Sequence, residues 1–196
     1  DENELSVNNN LVFLNNIIDV EGEYGIYIMN GSSTVIESNS IIGSFSGPSI
    51  YGIYCDDCDN SSFSSNILNG LGSGIYANYA HNSVFSSNTI NLISESGNGM
   101  YTYDCDGCVM MYNDLDIMHN SIPQSDGWAP TISSAANGIY AHDSDNLSLY
   151  NNEIHVEGNA LILTTNTNLT LESNNITIGH YPYFGYYNWP YDPPSF

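Results

Sequence analysis

No lysine and no arginine occur in the 196 residues, against 22 aspartates and glutamates. Average composition would supply roughly two dozen basic residues. Without cations the chain cannot neutralise a phosphate backbone, which excludes nucleic acid as a partner. Nucleotide sites built on a P-loop lysine and polybasic membrane docking are excluded as well. Only the five histidines remain to meet a carboxylate, and a formal charge of −22 repels itself unless cations or acid screen it. No apolar run approaches the ~18–20 residues of a membrane helix, so no membrane span is expected. An initiator methionine, a basic n-region and an apolar h-region are missing too. The sequence therefore reads as starting after processing or within a longer product.

What is present is a repeat. A Gly-[Ile/Met]-Tyr triplet stands at Gly25-Ile26-Tyr27, Gly52-Ile53-Tyr54, Gly74-Ile75-Tyr76, Gly99-Met100-Tyr101 and Gly138-Ile139-Tyr140, with a degenerate copy at Ala160-Leu161-Ile162. Fourteen residues after each first position comes an asparagine: Asn39, Asn66, Asn88, Asn113, Asn152 and Asn174. Asn16 marks an earlier, weaker coil starting near Glu2. Two residues beyond each asparagine comes an aliphatic residue, from Ile18 to Ile176.

Apolar residues also alternate with period two on three short segments of each coil, as strands with one buried face require. Helical spacing fails throughout. The expected fold is all-β: a three-sheet parallel β-solenoid of about seven coils over residues 1–179. An aromatic, proline-rich segment, 180–196, follows as a cap or docking arm.

The asparagine column (Asn16, Asn39, Asn66, Asn88, Asn113, Asn152, Asn174) is expected to be structural. Asparagine tolerates the left-handed backbone of a sharp bend. Its amides, stacked at ~4.8 Å, can bond from coil to coil. Spacing from asparagine to the next glycine varies from eight residues (Asn66 to Gly74) to twenty-five (Asn113 to Gly138). One corner therefore carries variable loops, the longest running from Asp116 to Asn137 with Trp128 within it.

The repeat resembles the NosD-like and pectin-lyase-like family of right-handed parallel β-helices. The Asn-x-[Ile/Leu] ladder and the Gly-Ile-Tyr strand start carry that resemblance over nearly the whole chain. It implies architecture more than activity, because the fold hosts lyases, hydrolases, adhesins and surface-layer proteins. Its lyase branch implies an arginine or lysine base, which this chain lacks. Its polygalacturonase branch implies carboxylates with His-Gly and Arg-Ile-Lys motifs; Asp56-Asp57 could imitate the pair, but neither motif follows. No catalytic residue is assigned.

Candidate sites remain. Asp104, Asp106, Asp143 and Asp145 occupy matching positions of consecutive coils, an oxygen-rich set that reads first as a solvated acidic turn, then as a set suited to Ca²⁺, and third as a glycosidase-like carboxylate pair. Cys55-x-x-Cys58 and Cys105-x-x-Cys108 could suggest zinc. However, Cys58 and Cys105 lie two coils, about 9.6 Å, apart. A local disulfide within each pair is the expectation, with reduced thiols as the alternative.

Tyr27, Tyr54, Tyr76, Tyr101 and Tyr140 should form an outward ladder that stacks on itself, binds sugar faces or docks a neighbouring copy. Trp128 and Trp189 are further surface candidates. Sequons at Asn30, Asn60, Asn146, Asn168 and Asn175 are weak glycosylation signals.

Two functions are expected in order: a structural protein of an extracellular layer, sheath or fibre, of archaeal surface-layer type, assembling as a homo-oligomer or filament; then a carbohydrate-binding or carbohydrate-cleaving β-helix. Metal storage or delivery, suggested by the NosD-like resemblance, His81, His142 and the four cysteines, ranks last. A cell-surface or extracellular location goes with the first two.

Overall fold

The period-two apolar pairs become three parallel sheets in the computed structural model, which describes residues 9–43, 50–94, 96–119 and 136–179. The first sheet stacks seven strands: Val12–Leu14, Val35–Glu37, Ser62–Ser64, Val84–Ser86, Val109–Met111, Ser148–Tyr150 and Thr170–Glu172. The second also has seven: Ile17–Val20, Ser40–Gly43, Ile67–Leu71, Thr89–Ser94, Asp114–His119, Glu153–Val156 and Asn175–Ile178. The third has six: Tyr24–Met29, Tyr51–Asp56, Ser73–Asn78, Asn98–Tyr103, Asn137–His142 and Asn159–Thr164. Each strand pairs with its counterpart one coil away, so the chain winds as an all-β solenoid. The third-sheet strand of the earliest coil would fall on residues outside the described ones, as does the segment 180–196.

The core consists of like residues in register. Ile36, Phe63, Phe85, Met110 and Leu149 form one inward column, and the rings of Phe63 and Phe85 stack at 4.7 Å. Ile41, Leu68, Ile90, Leu115 and Ile154 form a second, and Ile26, Ile53, Ile75, Met100 and Ile139 a third. All are buried. Because the period is two, a register slip of one residue would turn every column to solvent.

The glycine column answers to space. A Cβ on Gly99 would lie 2.7 Å from the Gly138 carbonyl oxygen, and one on Gly138 2.6 Å from that of Ala160. Ala160 can carry a side chain because, among the described residues, no following coil places a carbonyl over it. Gly70 differs: its φ of +67° marks the extra residue of a bulge, where Asn91 pairs with Asn69 but Leu92 with Leu71.

Two expectations need correction. The bend beside the asparagine column is made one residue earlier, at Asn15, Ser38, Ser65, Ser87, Tyr112, Asn151 and Ser173, whose φ values lie between 50° and 58°. The ladder asparagines do not take the left-handed conformation; their role is hydrogen bonding. The stretch expected as one long loop from Asp116 begins as strand, because Asp116–His119 pairs with Asn91–Ser94 and extends the second sheet. Trp128, within the remainder, lies outside the described residues.

Candidate functional site

At the asparagine corner every amide is engaged. Asn88 Nδ2 donates to Asn113 Oδ1 (3.0 Å) and to the Phe63 carbonyl (2.8 Å), while its backbone N–H also donates to Asn113 Oδ1 (3.0 Å). The pattern repeats from Asn39 through Asn152. It begins at Asn16, and Asn174 closes it by donating to the Leu149 carbonyl. Each Oδ1 of Asn39 to Asn174 accepts two bonds and each Nδ2 of Asn39 to Asn152 donates two, which satisfies polar groups that burial would otherwise penalise. The ladder is scaffold, as its spacing indicates.

The acidic corner carries a second ladder of opposite direction. The backbone N–H of His81 donates to Asp59 Oδ1 (2.8 Å), that of Asp106 to His81 Nδ1 (3.1 Å), and that of Asp145 to Asp106 Oδ1 (2.7 Å). Thr167 donates to Asp145 Oδ1 from its backbone and from its hydroxyl. At the asparagine corner a backbone N–H reaches forward to the side chain of the next coil; here it reaches back to the previous one. Asp106 and Asp145 thus each give one oxygen to the fold.

The expected quartet is not what the fold gathers most closely. Potential ligand atoms of His81, Asp104 and Asp106 lie within 4.8 Å of one another, whereas Asp143 Oδ2 sits 3.0 Å from His142 Nδ1. His81 Nδ1 already accepts the Asp106 N–H, so only its Nε2 is free for the proton.

The bends flanking this corner explain its composition. Asn30, Asp57, Tyr79, Asp104, Asp143 and Thr165 take the left-handed conformation at one turn, and Ser33, Asn60, Asn82, Gly107, Asn146 and Asn168 at the next. Aspartate and asparagine tolerate that conformation better than most residues. Three sequon asparagines, Asn60, Asn146 and Asn168, fall in the second of these columns, and their sequon hydroxyls, Ser62, Ser148 and Thr170, on the outward strand face. The fold therefore supplies its own reason for those sequons. Asn30 holds a bend of the first column, and Asn175 opens the last described strand.

The tyrosine column is stacked face to face. Ring centroids are 5.3 Å apart for Tyr27–Tyr54, 5.1 Å for Tyr54–Tyr76, 4.2 Å for Tyr76–Tyr101 and 5.3 Å for Tyr101–Tyr140, with planes within 20° of parallel. Tyr24 and Tyr51 form a shorter second column packed edge-on against it, which the triplet motif did not reveal. Neighbouring rings cover one another's faces, so the interior of the ladder offers edges and hydroxyls to solvent. Burial pushes the Tyr54 phenol up to about 12, helped by the Asp56 charge, and raises Tyr76 and Tyr101 as well.

Beyond the ladder, Tyr103 stacks on His142 at 5.4 Å and meets Tyr79 edge-on at 5.5 Å. Asp56 borders this group, its carboxyl raised by desolvation and then by Asp57, with a hydrogen bond from Asn78 acting against the shift.

The two cysteine pairs differ. Cys55 and Cys58 are joined, with Cα atoms 6.1 Å apart, as expected. Cys105 and Cys108 are free thiols, buried in the core, which corrects the expectation of a bridge in both pairs. No zinc-like grouping of the four occurs among the described residues. Trp189 lies outside the described residues.

Comparison with known proteins agrees with this geometry. A family model described as "Right handed beta helix region" matches residues 2–107 and 52–182. A solved structure described as a putative glycosyl hydrolase from Parabacteroides merdae ATCC 43184 is similar at 12% identity, with a TM-score of 0.51, covering 85% of this chain and 82% of that one. At that identity the likeness shows the fold alone. No curated protein matches the sequence.

Proposed function

Since the chain belongs to the right-handed β-helix family, whose fold serves many unrelated activities, we propose that this member is a structural protein of an extracellular layer, sheath or fibre, a stiff rod that associates with copies of itself. One observation carries the reading. The polar and aromatic columns are engaged in bonding coil to coil: asparagines inside, Asp59, His81, Asp106 and Asp145 at the corner, tyrosines outside. Such ladders make a rigid, repetitive object, and each new coil adds by the same bonds.

The Cys55–Cys58 bridge supports an oxidising location outside the cell. The absence of lysine and arginine removes every trypsin-type cleavage site, which suits a durable coat. The uniform negative charge makes association depend on screening, and carboxylate oxygens favour Ca²⁺ for that purpose. Electron microscopy of purified protein with and without Ca²⁺ tests the reading. Fibres or sheets are expected; strict monomers under every condition would sink it.

A second reading, carbohydrate binding or cleavage, is favoured by the edge where Tyr79, Tyr103 and His142 border Asp56, Asp104 and Asp143. The glycosyl hydrolase description of the similar structure points the same way. Aromatic edges and carboxylates grouped on one outer strip suit a glycan hydroxyl network better than the covered rings of the ladder. Retention on immobilised neutral and acidic polysaccharides, with Asp104→Asn and Asp143→Asn as controls, checks it. No retention and no turnover on any glycan would reject it.

A further inference from the structure

The bend that opens the acidic corner is imposed by the solenoid, whatever residue occupies it. The backbone N–H groups of Asn30, Asp57, Tyr79, Asp104 and Asp143 donate to the carbonyls of Asp56, Asn78, Tyr103, His142 and Thr164 one coil on, at 2.9–3.1 Å. All five donors are left-handed. Four are asparagine or aspartate, whose short polar side chains visit that conformation routinely. Tyr79 is the exception. At φ 47° a bulky side chain crowds the following carbonyl, so tyrosine is a strained choice there. Strain of this kind persists where a side chain serves something other than the fold.

The Tyr79 side chain is not spent on packing, for the residue is 39% exposed. Its ring meets Tyr103 at 5.5 Å with the planes 83° apart, while Tyr103 itself stacks on His142. Among the described residues no ring lies parallel to Tyr79. Its face is therefore left uncovered, unlike the faces of Tyr54, Tyr76 and Tyr101 within the ladder. Asp57 and Asp104 hold the same bend one coil before and one coil after, each about 4.8 Å away along the axis.

We infer that Tyr79 is the stacking platform of a subsite for a neutral glycan, with the apolar face of one sugar ring on the phenol and its hydroxyls donating to Asp57 and Asp104. The inference rests on the carbohydrate reading above and narrows its substrate class. An aromatic face suits an uncharged, apolar sugar face. A uronate would instead bring its carboxylate between two aspartates, in a chain with no lysine or arginine to pair it. Neutral polymers are therefore accepted and acidic ones repelled. The strain fits an anchor, since fold stability is given up to hold a ring between two acceptors.

Full-length protein is tested for retention on immobilised glucan, mannan and polygalacturonate, and by thermal unfolding. Tyr79→Asn installs the residue type of the neighbouring bends. It should raise the melting temperature by roughly 2–4 °C and weaken retention on the neutral polymer by about tenfold or more. Tyr79→Phe, which restores ring and strain together, should restore retention and forfeit the gain. Tyr112→Asn is the control. Tyr112 is left-handed as well, at φ 58°, and 60% exposed, but it stands on the bend of the asparagine corner. Its replacement should stabilise in the same way and leave retention as it was.

Undiminished retention by Tyr79→Asn would overturn the inference while the carbohydrate reading stands, and so would retention on polygalacturonate alone. No rise in melting temperature for Tyr79→Asn would make the tyrosine a residue of the fold and overturn it too. A native chain retained on none of the three polymers rejects the inference and the reading together.

Discussion

The asparagine corner and the acidic corner are built alike, yet they teach different things about what a repeated polar residue is for. In both, a left-handed residue turns the chain, and a polar side chain nearby bonds to the backbone of an adjacent coil. At the asparagine corner the amides from Asn39 to Asn152 are buried, and each donor and acceptor has a partner. At the acidic corner the carboxylates are partly exposed, and one oxygen of each suffices for the fold. Burial sets the difference. An unsatisfied amide in the core costs about 1–3 kcal/mol, whereas an exposed carboxylate is already solvated.

Substitutions sharpen the contrast, beginning with the largest effect. Asn113→Asp would remove two buried donors and bring a charge beside Asn152 Oδ1 and the Phe85 carbonyl. A loss of about 3–5 kcal/mol is expected from urea unfolding. Asn113→Leu, which carries no charge, should cost less but still about 2 kcal/mol, because Asn88 loses its acceptor. A loss below about 0.5 kcal/mol for either would mean the ladder is decorative.

The bend and the ladder can then be separated. Ser87→Gly should be neutral or stabilising by up to about 1 kcal/mol, since glycine adopts a φ of 56° without strain. Asn88→Gly, one residue on, should cost more than about 2 kcal/mol. The reverse order in thermal unfolding would return the bend to the asparagine.

At the acidic corner, Asp106→Ala removes one exposed acceptor and one of several crowded negative charges. These effects oppose each other, and the net change should stay within about 1 kcal/mol of zero.

The smallest effect is a pH dependence at Asp56. Its carboxyl is raised by desolvation and by Asp57, so the folded state binds the proton more tightly than the unfolded chain. Stability from this group is greatest below the ordinary carboxylate value and falls as pH rises through the raised one. Asp56→Asn should therefore raise the melting temperature at neutral pH and lose that advantage in acid. An equal gain at both pH values would remove the desolvation account.

Much of this was legible in the sequence because the repeat is long and in phase. Spacing alone placed the glycine, tyrosine and asparagine columns and the inward aliphatics on three strands per coil. The bend was misplaced by one residue because the columns on either side of that bond run Asn15-Asn16, Asn151-Asn152 and Ser87-Asn88, residue types that suit both roles. The ladder from Asp59 through His81 to Asp145 was visible as a column, but not its direction or its bonds to backbone, which depend on stacking geometry. Tyr24 and Tyr51 escaped because their column ends after two coils, giving way to Ser73 and then to Asn98, Asn137 and Asn159, the last three themselves linked by amide hydrogen bonds.

Native-state hydrogen exchange, resolved by residue, tests the contrast between corners most directly. The backbone amides of Asn66, Asn88 and Asn113, which donate to buried asparagine oxygens, should exchange only through global unfolding. Those of His81, Asp145 and Thr167, which donate to corner carboxylates, should exchange through local opening with clearly lower protection. Equal protection at the two corners, or faster exchange at the asparagines, would contradict the account.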